Sequence, residues 1–198
     1  DWYVAVIDTG ARLTHEMFQG KQIVEACFAI GEDWYDRENG DCPNGKITMT
    51  GPGSNVPHNS NVHHGTHVAG IAVGNNHNGR YGVARGANLM AIDVFSWFPN
   101  EAAVLTWNTD VARGLEYVYT QRNNYQIASV NISSGGSSGY SDYCESDVRK
   151  AMIDNLTAVG IAVVVSAGNE SLCEQITQPG CIQNSIAIGN TTKDDRVY

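Results

Sequence analysis

Residues 63–70 read His63-His64-Gly65-Thr66-His67-Val68-Ala69-Gly70, a histidine-rich segment that runs into apolar residues. Val68, Ala69 and Ala72 recur at helical spacing, so the segment predicts a helix over residues 64–73 that begins at His64. The two residues after His64 are small, and small residues there let an imidazole ring face a cleft. The segment therefore predicts a positioned imidazole, the group that general acid–base chemistry uses most often.

Two further stretches place a polar side chain directly after an apolar run. The first, Val4-Ala5-Val6-Ile7-Asp8-Thr9-Gly10, predicts a buried strand that ends just before Asp8. The second, Ser166-Ala167-Gly168-Asn169, follows the most apolar run of the chain, residues 161–165. A carboxylate that orients an imidazole and an amide donor for a developing oxyanion are the groups that acyl transfer needs.

The rest of the pattern alternates apolar strands with amphipathic helices. The predicted strands are 3–7, 87–95, 127–132, 161–165 and 185–189, and the predicted helices are 64–73, 110–122 and 147–159. Residues 29–61 are rich in turn-forming residues and predict loops. Such alternation indicates one α/β domain over residues 1–198, a mostly parallel sheet with helices on both faces. Asp8, Ser133 and Asn169 each follow a strand, and side chains at the carboxyl ends of such strands gather in one site.

The order of the Asp8, His64 and Asn169 stretches resembles the subtilisin-like serine proteases (the subtilases, peptidase family S8). The resemblance covers almost the whole chain and implies polypeptide substrates and no required cofactor. It implies that Asp8 orients His64, that His64 is the general base and acid, and that Asn169 stabilises the oxyanion. It also implies that substrate is held by Ser133, Ser134, Gly135, Ala167 and Gly168.

The Gly-Thr-Ser stretch that carries the nucleophile in that family does not occur in the 198 residues. The resemblance therefore implies the front part of a longer catalytic domain, truncated at its C-terminal end and inactive alone. We expect the missing part, or a second copy of the chain, to be a partner that completes the fold. The alternative hypothesis is a pseudoprotease, or a non-catalytic module that binds peptides.

Three other motifs suggest different functions, and each is weaker than the subtilase resemblance. Three histidines in residues 63–67 suggest a metal site, but a zinc protease of the His-Glu-x-x-His type needs Glu where Gly65 stands, so we expect no metal there. The loop 74–81 occupies the position where several subtilases hold a structural calcium, which makes calcium possible, although its Asn and Gly residues favour an ordinary solvated loop. The Gly-x-Ser-x-Gly pattern at 135–139 lacks the later histidine of an α/β-hydrolase, since no histidine follows His77.

Composition limits the partners and the compartment. A net charge of −9 with 12 scattered Lys and Arg residues argues against a nucleic-acid partner, and the longest aliphatic run, 161–165, is too short to cross a membrane.

The five cysteines, 27, 42, 144, 173 and 181, leave one unpaired. Cys27–Cys42 with Cys173–Cys181 is one predicted pairing, and Cys144–Cys181 competes with the second bond. Disulfides indicate an oxidising compartment, so we expect a secreted or periplasmic protein.

Overall fold

A computed structural model describes residues 1–36, 38–59, 61–192, 194 and 196. Its helices are α1 (His64–Val73), α2 (Asn108–Gln121) and α3 (Lys150–Ala158), and a 3-10 turn spans Glu16–Phe18. Its strands are β1 (Trp2–Asp8), β2 (Ile23–Phe28), β3 (Thr48–Thr50), β4 (Asn88–Asp93), β5 (Ser96–Phe98), β6 (Ala103–Leu105), β7 (Gln126–Ile132), β8 (Gly139–Tyr140), β9 (Ala162–Ser166), β10 (Ile176–Thr177) and β11 (Ile186–Ile188).

Seven of these strands form one sheet in the order β11-β9-β7-β1-β4-β2-β3. Every neighbouring pair is parallel except β2 with β3, which is antiparallel. Two helices, α2 and α3, pack on one face of the sheet, where Ile7 and Ile92 meet Leu115 and Ile153 in the larger core cluster. Helix α1 covers the other face, where Val6, Leu89 and Ala91 meet Ala69 and Val73. The α/β fold with helices on both faces is therefore confirmed.

The structure adds strands that the sequence pattern did not predict. Strand β2 carries Glu25 in its middle, which interrupts the apolar run, but this carboxylate accepts hydrogen bonds from the amides of Gly53 (2.8 Å) and Asn55 (3.4 Å). Strand β3 lies inside the predicted loop region 29–61 and pairs at the edge with β2. Helix α3 begins three residues later than predicted. Asp147 and Arg149, which precede it, form a buried ion pair with Oδ2 2.6 Å from Nη2.

The disulfides are Cys27–Cys42 and Cys144–Cys181, and Cys173 is an exposed free thiol. The prediction of Cys27–Cys42 is confirmed, whereas Cys173–Cys181 is wrong and the competing Cys144–Cys181 is right. The reason is backbone proximity: the Cys144 amide donates to the Cys181 carbonyl at 3.1 Å. Among the described residues, no helix combines the length and apolarity that a membrane crossing requires.

Candidate active site

The site lies at one edge of the sheet, where three neighbouring parallel strands end. Strands β9, β7 and β1 are adjacent in that order. Asp8 is the last residue of β1, Ser133 follows β7, and Asn169 lies three residues beyond the end of β9. The structure thus places the three side chains at the same edge, because the carboxyl ends of parallel strands meet there.

His64 and Asp8 are in direct contact. The Nδ1 atom of His64 lies 2.7 Å from Oδ1 of Asp8. The Asp8 side chain is 3% exposed, whereas that of His64 is 53% exposed. A proton on Nδ1 that is donated to the carboxylate leaves the Nε2 lone pair as the basic position of the neutral ring. This arrangement can take a proton from a hydroxyl group that approaches Nε2.

Backbone contacts fix the two side chains relative to each other. Oδ1 of Asp8 also accepts from the Thr9 amide at 2.7 Å, and the Thr9 hydroxyl accepts from the Gly65 amide at 3.0 Å. Gly65 lies against the Gly10 carbonyl so closely that a side chain would overlap it. The start of α1 can therefore sit directly over the end of β1 only with glycine at position 65.

The electrostatics of the pair favour a charged imidazole. The hydrogen bond to Asp8 raises the pKa of His64, partial burial of the ring opposes this, and the Coulomb attraction of the carboxylate adds to the increase. A raised imidazole pKa makes His64 a better proton acceptor than an isolated histidine. The ring is thus basic, oriented and open to solvent.

The predicted substrate-binding segment at 133–135 extends β7 beyond the sheet. The Ser133 hydroxyl accepts from Nδ2 of Asn131 at 2.9 Å, and the Ser134 carbonyl accepts from the Ser166 hydroxyl at 3.0 Å. A Cβ atom on Gly135 would lie 3.0 Å from Oγ1 of Thr177. The segment is therefore tied to the end of β9, and a side chain on its last residue would be a tight fit against Thr177.

Ala167, Gly168 and Asn169 form one wall of a cavity of about 690 Å³. Ala167 is held on both sides, since its amide donates to the Ile188 carbonyl and its carbonyl accepts from the Thr177 amide, each at 3.0 Å. Gly168 has a φ of +124°, a conformation that favours glycine. Asn169 is exposed at this wall.

Sequence reasoning missed Glu170 and Thr177, which line the same cavity. The Glu170 carboxylate accepts from the Asn169 amide at 2.7 Å. Glu170 directly follows Asn169 in the sequence, and this adjacency to a predicted site residue was a signal that could have identified it. Thr177 lies eight residues after Asn169, and its amide donates to the Ala167 carbonyl beside the cavity.

Metal binding was considered for the histidines of residues 63–67 and for the loop 74–81. In the described part of the chain, no group of three or more His, Cys, Asp or Glu side chains could hold a metal ion. In the loop 74–81, Oδ1 of Asn75 accepts from the His77 amide, and Oδ1 of Asn76 accepts from the amides of Asn78 and Arg80. These oxygens serve the loop backbone, and calcium binding at this loop stays a prediction.

Comparisons with known proteins agree with this geometry. The model of the subtilase family (Peptidase_S8) matches residues 1–198. Subtilisin-like protease 6 of Trichophyton soudanense is 28% identical over 195 residues, which are 96% of this chain and 38% of that protein. The extracellular serine proteinase of Thermus sp. (strain Rt41A) is 30% identical over 190 residues, 96% of this chain and 36% of that protein. The chain thus spans less than two fifths of these relatives.

Solved structures share the fold. The S41 psychrophilic protease has a TM-score of 0.73 at 24% identity, covering 100% of this chain and 57% of its own. Sphericase has a TM-score of 0.70 at 23% identity, again covering 100% of this chain and 57% of its own.

Proposed function

Because the chain belongs to the subtilase family of serine proteases, we propose that the whole protein is a serine endopeptidase that cleaves polypeptides with a triad of Asp8, His64 and a serine. The observation that carries this proposal is the 2.7 Å contact between His64 Nδ1 and the buried Asp8 carboxylate, with the other side of the ring open to solvent. The serine would come from outside the 198 residues, since no Gly-Thr-Ser stretch occurs in them.

In this mechanism His64 removes the proton of the serine hydroxyl through Nε2 as that oxygen attacks the peptide carbonyl. Asp8 stabilises the imidazolium that forms, and His64 then delivers the proton to the leaving amine. Asn169 would donate its side-chain amide to the oxyanion. A single donor of this kind is worth about 100- to 1000-fold in rate.

The substrate class follows from the two segments beside the triad. Residues 133–135 and 167–168 carry small side chains at the ends of two neighbouring strands, which suits an extended polypeptide better than a bulky compact ligand. The cavity beside Asn169, with Glu170 in its wall, would receive one substrate side chain. We propose polypeptides as substrates on these grounds.

We also propose an extracytoplasmic location, because both disulfides require an oxidising compartment to persist. The proposed partner is the remainder of the catalytic domain, or a second copy of this chain. Strand β11 lies at the edge of the sheet, and its Ile186 and Ile188 side chains are 48% and 54% exposed. A partner that covers this apolar edge would remove these side chains from water.

The test compares the full-length protein with the chain of 198 residues, using a fluorophosphonate that labels active-site serines. We expect one labelled serine per full-length molecule and loss of labelling in His64→Ala. The 198-residue chain alone should not be labelled. Asn169→Ala in the full-length protein should lower kcat about 100-fold or more while KM changes little.

Two outcomes would contradict the proposal. Labelling of the 198-residue chain at one serine, abolished by His64→Ala, would mean that the nucleophile lies within it. A full-length protein that binds a peptide aldehyde tightly but neither cleaves peptides nor reacts with the fluorophosphonate would instead be the non-catalytic binding module.

A further inference from the structure

A second buried carboxyl group lies beside Asp8. Strands β1 and β4 are parallel neighbours, and their register pairs Asp8 directly with Asp93. Adjacent strands are about 4.8 Å apart. Asp8 is 2% exposed and Asp93 is 1% exposed. Two carboxyl groups are therefore buried side by side at the edge of the sheet that carries the candidate site.

Both side chains point to the face covered by α1. Side chains alternate along a strand, and Val6 and Ala91, two residues before Asp8 and Asp93, pack in the cluster that contains Ala69 of α1. Asp93 thus faces the same side as the Asp8 carboxylate that holds His64. It does not belong to the opposite core around α2 and α3.

No ion pair offsets a charge on Asp93. Among the described residues, no Lys, Arg or His nitrogen lies within 4.0 Å of its carboxyl group. The Phe95 amide donates to Oδ1 of Asp93 at 3.1 Å. The charges that act on Asp93 are those of Asp8 and Asp41. His64 contacts Asp8, and Nε2 of His58 lies 2.7 Å from the Phe95 carbonyl oxygen.

Burial raises the pKa of Asp93 well above its usual range, the amides of Phe95 and Val94 oppose this, and the charges of Asp8 and Asp41 raise it further. Two carboxylates that share one site do not both ionise readily, so one of them keeps its proton. Asp8 is the member with a cationic partner available and with the Thr9 amide to stabilise its charge.

We propose that Asp93 stays protonated at neutral pH and is a positioning residue for the Asp8–His64 pair, to whose Asp8 Oδ2 atom it donates a hydrogen bond. That oxygen is buried and has no hydrogen-bond partner among the described residues, and a protonated Asp93 supplies a donor from the neighbouring strand. The pair then carries a single negative charge, on Asp8. The catalytic meaning of this arrangement rests on the proposed function, whereas the protonation itself does not.

The experiment uses the full-length protein, labelled with carboxyl ¹³C in Asp and with ¹⁵N in His, and followed by NMR from pH 4 to pH 9. Asp93→Asn identifies the Asp93 carboxyl signal by its disappearance. We expect that signal to keep the chemical shift of a protonated acid past pH 7. A signal that moves to the ionised position near the pKa of about 3.9 typical of Asp would overturn the proposal.

Three variants measure the coupling to His64. Asp93→Asn preserves a neutral donor, so the proton affinity of His64 should stay within about twofold of wild type. A loss of about tenfold would mean that Asp93 had been negatively charged. Asp93→Leu lacks the donor, so more of the negative charge of Asp8 acts on His64, and the proton affinity of His64 should rise about threefold. Equal affinities in Asn and Leu variants would overturn the hydrogen bond. Asp142→Asn removes an exposed acid and is the control for net charge.

These readouts are separate from the test of the proposed function. They do not depend on a nucleophile or on turnover. If the full-length protein fails to react with fluorophosphonate while Asp93 remains protonated, the function fails and the proton assignment stands. The reverse result rejects only the assignment.

Discussion

The Gly65 amide donates to the Thr9 hydroxyl at 3.0 Å, so the residue after the proposed base is tied to the residue after its carboxylate. This contact joins the start of α1 to the end of β1. Thr9 and Gly65 have no catalytic role themselves, so the geometry of His64 and Asp8 depends on a second pair of residues.

Replacement of Thr9 should lower the free energy of unfolding of the chain. Thr9→Val keeps the shape of the side chain but leaves the buried Gly65 amide without an acceptor, which costs about 1–3 kcal/mol. Thr9→Ser retains the hydroxyl and should cost clearly less. Urea unfolding monitored by tryptophan fluorescence measures both free energies. Equal stability of the Val and Ser variants would show that the hydrogen bond contributes nothing.

The stability contribution of His64 should depend on pH with a definite sign. Its pKa is raised in the folded chain above the value of about 6.5 for an unfolded one. The added stability is therefore fully present below about pH 6.5 and is lost as pH rises through the folded pKa. His64→Gln should lower the free energy of unfolding more at pH 5.5 than at pH 8.5. In an Asp8→Asn background this pH difference should disappear, and its persistence would assign the effect to another group.

The disulfide pairing predicts opposite results for two cysteine replacements. Cys144→Ser opens a bond that spans 37 residues of sequence and should cost about 4 kcal/mol. Cys173→Ser changes an exposed free thiol and should leave the unfolding free energy unchanged. Thermal and urea unfolding under non-reducing conditions compare them. If Cys173→Ser lowered the free energy of unfolding strongly and Cys144→Ser did not, the pairing Cys173–Cys181 would be right after all.

Gly168 should not tolerate a side chain. Its φ is +124°, and an added Cβ would lie 2.8 Å from two atoms of Thr177. Gly168→Ala should therefore destabilise the chain by about 1–3 kcal/mol and displace Asn169. Gly86→Ala is the matched control, since nothing lies within 4 Å of a Cβ placed there. Similar unfolding free energies for the two variants would mean that the wall of the cavity adapts freely.

The sequence alone determined the order of the elements and the local context of the main site residues. The pattern at 63–73 predicted a helix starting at His64, and the structure has α1 over the same residues. The apolar run before Asp8 predicted a strand over residues 3–7, and β1 spans Trp2–Asp8. These predictions worked because helical spacing and strand-ending residues are local properties, which a short window of sequence contains.

Tertiary structure decided which distant groups became neighbours. Glu25 hid strand β2 from the sequence pattern, since only its contacts with Gly53 and Asn55 make a carboxylate acceptable there. The choice of Cys144 over Cys173 as the partner of Cys181, and the position of Asp93 beside Asp8, both follow from backbone pairing between distant segments. Register and packing between segments far apart in the chain set these contacts, and no local stretch of sequence encodes them.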